Sequence, residues 1–343
     1  MQPVLPPFVP VPPEVNRRAW SWRRQAFRGL VYQVLAVAAI VALLSFLVHN
    51  TLLNMRLRGI QSGFDFLFDP AGFDIGEGLF NFDSAQSYAM ALWAGLLNTL
   101  RVAILGIALT TVIGGLVGVG RFSRNALVRG LCRVYVEFFR NVPVLLQLLM
   151  WYLIFTELLP DAAQPWRWGS VFLSKGGLSF PSPSWVGGAL VWDTPFLGEF
   201  AVEGGSALTP EFMALLLGLT IYTSAFVAEV VRAGIASVPR GQAEAAMALG
   251  LSPRLQMRLV TLPQALRVII PPLTNQYLNL TKNSSLAVAI GYPDVVSIAN
   301  TAINQTGRAV ECIAIVMLVY LATSLSTSLV MSAYNARTAL RER

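Results

Sequence analysis

The sequence has few of the residues on which metalloproteins and many enzymes depend. Only two cysteines and one histidine occur among 343 residues, namely Cys132, Cys312 and His49. The cysteines match no spacing that is typical of a disulfide framework or a metal site, and His49 has no partner pattern. The sequence therefore supports neither metal chemistry nor histidine-based catalysis.

Charged residues are also scarce, since they make up 13% of the chain while hydrophobic residues make up 55%. Soluble domains carry about a quarter charged residues, so much of this surface is expected to face lipid. The net charge of +7 is no sign of nucleic acid, because the arginines cluster beside the ends of apolar segments. That placement is typical of membrane proteins, and we expect a lipid bilayer and no nucleic acid as a partner.

About six apolar segments have the length that a hydrocarbon core requires. The predicted spans cover residues 29–48, 88–120, 126–159, 211–236, 264–282 and 312–336. The first is too long for a cleaved signal peptide and lacks a small-residue cleavage site, so we interpret it as a retained helix. The positions of the arginines predict that both termini lie in the cytoplasm. The expected fold class is therefore an all-α membrane protein.

The segments between the spans differ in composition. The arm at residues 1–28 is rich in proline and arginine, which favours an extended cytoplasmic segment. Residues 50–87 and 160–209 are acidic and rich in turn formers, so we place them on the outer side of the membrane; the second shows no clear periodicity and leaves room for short strands. Residues 283–306 are predicted to be an outer segment that partly re-enters the membrane.

The segment 244–263 lies between two apolar segments but is itself too polar to cross a bilayer. Pro253 should divide it into a short Ala-rich helix and a second, basic helix, because proline donates no backbone hydrogen bond. Gly250 falls where a left-handed residue would end the first helix. We expect Glu244 near the positive end of that helix, whose small side chains would let it lie close in a partner's groove.

This segment carries a resemblance to a known family. Its matching residues, Glu244, Ala245, Ala246, Gly250 and Pro263, resemble the EAA signature of the permease subunits of bacterial ABC importers. The resemblance implies that the segment is a cytoplasmic coupling helix that docks into an ATPase subunit. The alternative is an amphipathic helix on the membrane surface, which four elements at the family's spacing disfavour.

The resemblance extends over residues 88–336 and is to permeases for polar amino acids. The blocks that carry it are GLLNTL at 95–100, EFFRNVPVLLQ at 137–147, and residues 222–242, 262–267 and 282–286. Ser224 stands where alanine is usual in the family, and Asn283 where an acidic residue is usual, which leaves the role of Asn283 open. The extra helix within 29–87 and the insert at 160–209 resemble the broad-specificity L-amino acid subgroup.

The resemblance implies a type I ABC importer permease fold for residues 88–343, with the coupling loop at 241–263. The chain would be an inner-membrane subunit for polar L-amino acids that works by alternating access. No glycine loop followed by Lys and Ser/Thr is present, so the chain is not expected to be an enzyme or to bind a cofactor. ATP and Mg would bind a partner ATPase dimer. The other expected partners are a second, related permease in a heterodimer and a periplasmic amino-acid-binding protein.

Polar residues within the spans are the candidates for a substrate path. Asn275, Asn279 and Lys282 share a helical face with Asn283 beside it, and such groups should face the bundle interior or a wet path. Amides and one cation suit an amino acid, although hydrogen bonding between helices explains them equally well. Prolines 271–272 should kink or break this helix. Further candidates are Tyr222, Thr223 and Gln147.

Two acid–base pairs lie three residues apart within helices, where pairing would offset the cost of charge in a membrane. They are Glu137 with Arg140 and Glu229 with Arg232. We interpret both as structural pairs that can also rearrange during gating.

Three alternatives to this function remain open at this level. They are a secondary transporter driven by an ion gradient, a polytopic membrane enzyme, and an ABC importer of opines or other amino-acid-like solutes. The enzyme would need a convergent acid, base or metal set, which the sequence does not display.

Overall fold

The computed structural model describes residues 25–57, 59, 62–80, 82–186 and 189–338. Most of the predicted N-terminal arm, up to residue 24, and the end of the basic tail lie outside these residues. The chain divides into two units, one that ends at Ser62 and one that begins at Gly63. The first unit contains helix α1 (Gln25–Leu57), the predicted extra helix. Most of its apolar side chains are exposed, with Met55 as an exception, which suits a helix in contact with lipid.

The second unit is a helical bundle. Its helices are α2 (Tyr88–Gly120), α3 (Ala126–Asn141), α4 (Val144–Leu153), α5 (Pro210–Ala236), α6 (Arg240–Ala248), α7 (Pro253–Gln256), α8 (Leu262–Asn283), α9 (Val295–Thr306) and α10 (Ala309–Thr338). Short π-helical turns, Ile154–Leu158 and Met257–Thr261, extend α4 and precede α8, and a 3₁₀ helix, Ser284–Ile290, follows α8.

The number of spans agrees with the prediction from the sequence. Four helices in the described part of the chain, α1, α2, α5 and α10, are long and apolar enough to cross a membrane. Two further spans are bent: α3 with α4 turns through 103°, and the stretch containing α8 turns through 49° before α9. Counting each bent pair once gives six spans.

Helices α2 and α5 pack against each other at very short range. A Cβ atom on Gly114 would lie 2.6 Å from Val227 Cγ1, and one on Gly118 would lie 2.7 Å from Val231 Cβ. A Cβ on Gly115 would meet nothing within 4 Å. Gly114 and Gly118 therefore allow the two helices to approach closely, as small residues do in membrane proteins generally. Gly115 plays no part in this contact.

The tandem prolines do not break α8, so of the two outcomes that we expected, a kink or a break, the break is wrong. The helix continues through Pro271 and Pro272 to Asn283, flanked by the buried side chains of Ile269, Ile270 and Leu273. Burial of these residues against neighbouring helices holds the segment in helical geometry although each proline removes one backbone donor.

The segment 160–209 is a small β-structure inserted between α4 and α5. Its strands are β1 (Trp166–Trp168), β2 (Val171–Ser174), β3 (Gly177–Phe180), β4 (Ser182–Val186), β5 (Ala189–Asp193), β6 (Phe196–Leu197), β7 (Val202–Glu203) and β8 (Ser206–Leu208). They form an antiparallel sheet in the order β1-β2-β3-β8 and two hairpins, β4–β5 and β6–β7. We call this segment the insert. Strands of two to five residues are too short to leave a clear periodicity in the sequence.

Residues 63–87, which we call the strap, belong to the bundle. Phe66 is buried with its ring centroid 5.7 Å from that of Tyr88, and Pro70 forms a β-bridge with Ser87. The Gly63 amide donates to Glu311 Oε1 at the start of α10. The domain boundary that we expected after residue 87 therefore lies inside the second unit.

We predict that Gly114→Ala destabilises the protein by about 1–3 kcal/mol, because the new methyl group overpacks the contact between α2 and α5. Gly115→Ala is the matched control and should be neutral or slightly stabilising, since alanine favours helix. Thermal unfolding of the two variants in detergent checks this, and equal melting temperatures would contradict the packing described.

Candidate functional site

The bundle has two distinct ends. Helix α5 starts at the insert, beside Thr209, and ends next to α6. We call the first the insert end and the second, which carries α6 and α7, the loop end.

A polar cavity of about 350 Å³ lies between α5 and α8. It is lined by Tyr222, Thr223, Phe226, Gln276, Asn279 and Asn283. The Thr223 hydroxyl is buried and has no hydrogen-bond partner among the described residues. A ligand with donors and acceptors would satisfy such a group, because an unpaired buried hydroxyl costs free energy.

The structure brings together four of the seven residues predicted for the substrate path: Tyr222, Thr223, Asn279 and Asn283. Sequence reasoning missed Gln276 and Phe226. Gln276 precedes Asn279 by three residues and Asn283 by seven, so helical spacing could have found it. Phe226 carries no such signal, since apolar residues fill most of α5.

Three predicted path residues lie elsewhere. Asn275 and Lys282 are exposed and do not line the cavity. The Gln147 side-chain amide donates to the carbonyls of Phe139 and Val142, both at 2.9 Å. These carbonyls end α3, and helix-terminal carbonyls lack partners within the helix. Gln147 therefore supports the bend between α3 and α4.

Three arginines surround the carboxylate of Glu229, which lies toward the loop end of the bundle. Glu229 Oε1 accepts hydrogen bonds from Arg232 Nε at 3.0 Å and Arg232 Nη2 at 2.5 Å. Its Oε2 atom accepts from Arg121, the residue that follows α2, and lies 4.0 Å from Arg140 Nη1 of α3. We call these four residues the Glu229 cluster. It joins α2, α3 and α5, and it carries more positive than negative charge.

The predicted pair of Glu137 with Arg140 is wrong. No ion pair joins them in the described part of the chain; Arg140 instead faces Glu229, and its guanidinium lies 5.1 Å from the centroid of the Phe226 ring. Glu137 is exposed. A spacing of three residues permits contact along a helix, but the packing of α3 on α5 offers Arg140 a partner that is less solvated.

A second polar cluster, at the insert end, was missed by sequence reasoning. The Glu77 carboxylate lies 2.8 Å from Arg101 Nη1 and accepts a hydrogen bond from the Thr209 hydroxyl. Asn98 Nδ2 donates to the Glu77 carbonyl at 2.8 Å. Burial raises the pKa of the Glu77 carboxyl, because lost solvation outweighs the opposing effects of Thr209 and Arg101. The sequence offers one indication of this cluster: Arg101 is a charged residue within an apolar segment, where charged residues are rare and usually paired.

The glycine cap at Gly250 and the start of a second helix at Pro253, both in the loop between α5 and α8, form as the sequence predicts. Helix α6 ends in a Schellman motif: the Gly250 amide donates to the Met247 carbonyl at 2.9 Å and the Leu251 amide to the Ala246 carbonyl at 3.1 Å. Gly250 has φ of 78°, which other residues adopt only at a cost. Pro253 begins α7.

The position of Glu244 differs from the expectation. Helix α6 begins at Arg240 after an N-cap at Pro239, so Glu244 lies in the second turn, away from the positive end. Glu244 and Ala245 are exposed while Ala246 is buried. The exposed face of the helix also presents Met247.

The fold and these features define a polytopic membrane protein with a polar cavity between spans and a helical loop at one end, as expected of a transport subunit. The chain belongs to the family of binding-protein-dependent transport system inner membrane components, whose sequence pattern matches residues 110–340. The family resemblance that the motifs indicated is thus confirmed.

Relatives match almost the whole chain. The general L-amino acid transport system permease protein AapQ of Rhizobium johnstonii is 43% identical, covering 94% of this chain and 96% of its own length. The glutamate/glutamine/aspartate/asparagine transport system permease protein BztB of Rhodobacter capsulatus is 35% identical, covering 92% and 95%.

A solved structure confirms the ABC importer permease fold. The crystal structure of an amino acid ABC transporter with histidines matches with a TM-score of 0.55 at 26% identity, covering 73% of this chain and 95% of that chain.

We predict that Glu229→Gln destabilises the protein by about 2 kcal/mol, because three guanidinium groups lose their shared carboxylate. Glu137→Gln removes the same charge from an exposed position and should change stability by less than about 0.5 kcal/mol. Thermal unfolding in detergent separates the two, and similar losses in both variants would argue against the cluster.

Proposed function

We propose that this chain is the permease subunit of an ATP-driven importer of polar L-amino acids. The observation that carries the proposal is the amide-lined cavity between α5 and α8, in a chain 43% identical to a general L-amino acid permease over nearly its full length. The name of BztB supports glutamate, glutamine and aspartate as cargo.

The chemistry of the cavity supports a broad range of amino acids. Gln276, Asn279 and Asn283 offer donors and acceptors without a fixed charge, and Tyr222 and Thr223 add hydroxyls. A lining without charge tolerates acidic and neutral side chains alike, because no like charge repels them.

Helix α6 is the proposed docking site of the ATPase. Its exposed residues Glu244, Ala245 and Met247, with Leu249 82% exposed just beyond its end, offer a partly apolar surface of the kind a helix presents to a partner's groove. Pro263 lies at the second position of α8, where it ends the loop. ATP and Mg would bind the partner subunits.

The remaining partners and the orientation follow from this assignment. If α6 meets a cytoplasmic ATPase, the loop end and both chain termini face the cytoplasm, in agreement with the arginine distribution. The insert end then faces a periplasmic amino-acid-binding protein. A second, related permease would complete the pore in a heterodimer.

We predict that Glu244→Arg lowers amino acid uptake about tenfold while the partner ATPase continues to hydrolyse ATP, because a coupling contact worth about 1.4 kcal/mol is lost. Glu137→Arg makes the same charge reversal at an exposed position on α3, outside both α6 and the insert, and should leave uptake within about twofold. The assay is uptake into cells together with co-purification of an ATPase in mild detergent. Normal uptake by Glu244→Arg would overturn the coupling role, and uptake that survives loss of the ATPase but not an ionophore would favour a secondary transporter.

We predict that Asn279→Leu raises the KM for uptake about tenfold, since one lost hydrogen bond to substrate is worth about 1–1.5 kcal/mol. Asn275→Leu is the matched control on the same helix and should leave KM within about twofold. A panel of acidic, neutral and basic amino acids, with an opine added, identifies the cargo. Equal effects of both substitutions would remove the α5–α8 cavity from the path.

A further inference from the structure

Three separate parts of the chain meet around one carboxylate at the insert end. Glu77 comes from the strap, Arg101 from α2, and Thr209 caps the start of α5. The side chain of Glu77 is only 7% exposed. A buried carboxylate needs such partners, but the partners are not explained by the α5–α8 cavity, which lies elsewhere in the bundle.

Arg101 and Thr209 are both held in place by contacts that do not involve Glu77. The Arg101 guanidinium lies 4.1 Å from the centroid of the Phe212 ring, a cation–π contact. The Thr209 hydroxyl accepts a hydrogen bond from the Phe212 amide at 3.1 Å. A guanidinium beside a hydroxyl is suited to receive a carboxylate, and here both would keep their positions if the strap moved.

Glu77 lines two cavities at this end of the bundle. One, of about 370 Å³, is lined in part by Asp74, Glu77, Thr209 and Glu211. The other, of about 620 Å³, is lined in part by Glu77, Thr209 and Arg101. Thr209 lines both cavities and Arg101 lines the larger one, so a solute can approach the Arg101–Thr209 pair from the larger cavity.

We propose that Arg101 and Thr209 form a binding site for the carboxylate of an incoming amino acid, and that Glu77 is an internal occupant which this carboxylate displaces. The identity of the ligand as an amino acid rests on the proposed function, whereas its carboxylate chemistry rests on the site alone. Asp74 and Glu211 line the neighbouring cavity and provide negative charge for the ammonium group of the same ligand.

Competition with Glu77 has a consequence for how the site is filled. A tethered group acts at an effective concentration of millimolar order, so dilute free solute does not displace it. Solute that a docked binding protein releases at the insert end reaches a high local concentration, and it therefore displaces Glu77. The site would therefore favour delivered amino acids over free ones.

The test uses the purified full chain in lipid nanodiscs, with thermal unfolding as the readout. In Glu77→Ala the site is empty, and sodium acetate should raise the melting temperature by about 2 °C. Acetamide, which has the shape of acetate without its charge, should leave the melting temperature unchanged when ionic strength is matched with sodium chloride. The unsubstituted protein should respond to neither, because Glu77 fills its site.

The double variant Glu77→Ala with Arg101→Gln should lose the acetate response. A response that persists in the double variant, or acetate and acetamide acting alike, would overturn the proposal. If Glu77→Ala does not fold, Glu77→Gln retains the side-chain volume and gives the same test, since acetate displaces a neutral amide from Arg101 more readily than a carboxylate.

The outcome of the acetate experiment does not depend on the outcome of the uptake assays. An absent acetate response overturns the carboxylate site and leaves the proposed function to be judged by uptake. An acetate response in a chain that imports no amino acid would retain a carboxylate site and remove the amino acid as its ligand.

Discussion

The close contact between α2 and α5 is the constraint on which the rest of the bundle depends. Gly114 and Gly118 let the backbones approach until Val227 and Val231 fill the space that side chains would otherwise occupy. The two helices run in the same direction, so this contact also sets which residues meet at each end. Arg121 thereby reaches Glu229 at the loop end, and Arg101 lies beside the start of α5 at the insert end.

Two clusters of charged residues lie toward these two ends. The Glu229 cluster and the Glu77–Arg101 pair each satisfy ionised groups that would be costly in hydrocarbon. Between them, the cavity that α5 and α8 form is lined by uncharged polar side chains and the apolar ring of Phe226. Under the proposed function, an amino acid would pass from the charged site at the insert end to the uncharged cavity between α5 and α8.

Sequence reasoning succeeded where a local rule decides the structure. The span at 88–120 has the predicted bounds, and Gly250 ends α6 in the left-handed conformation expected of it. It failed where a distant partner competes with a local one. Arg140 was assigned to Glu137 on the same helix, but Glu229 on α5 takes it; the strap was grouped with α1, but Phe66 packs on Tyr88.

The sequence by itself determined the membrane class, the number of spans, the loop with its glycine cap and the family, because hydropathy, proline and glycine act within a few residues of themselves. Only the tertiary structure decided that Phe226 shares a cavity with Asn279, that Gln147 supports a helix bend, and that Glu77 reaches Arg101. These contacts join residues from different elements, and their partners depend on how helices pack, which no short-range pattern in the chain encodes.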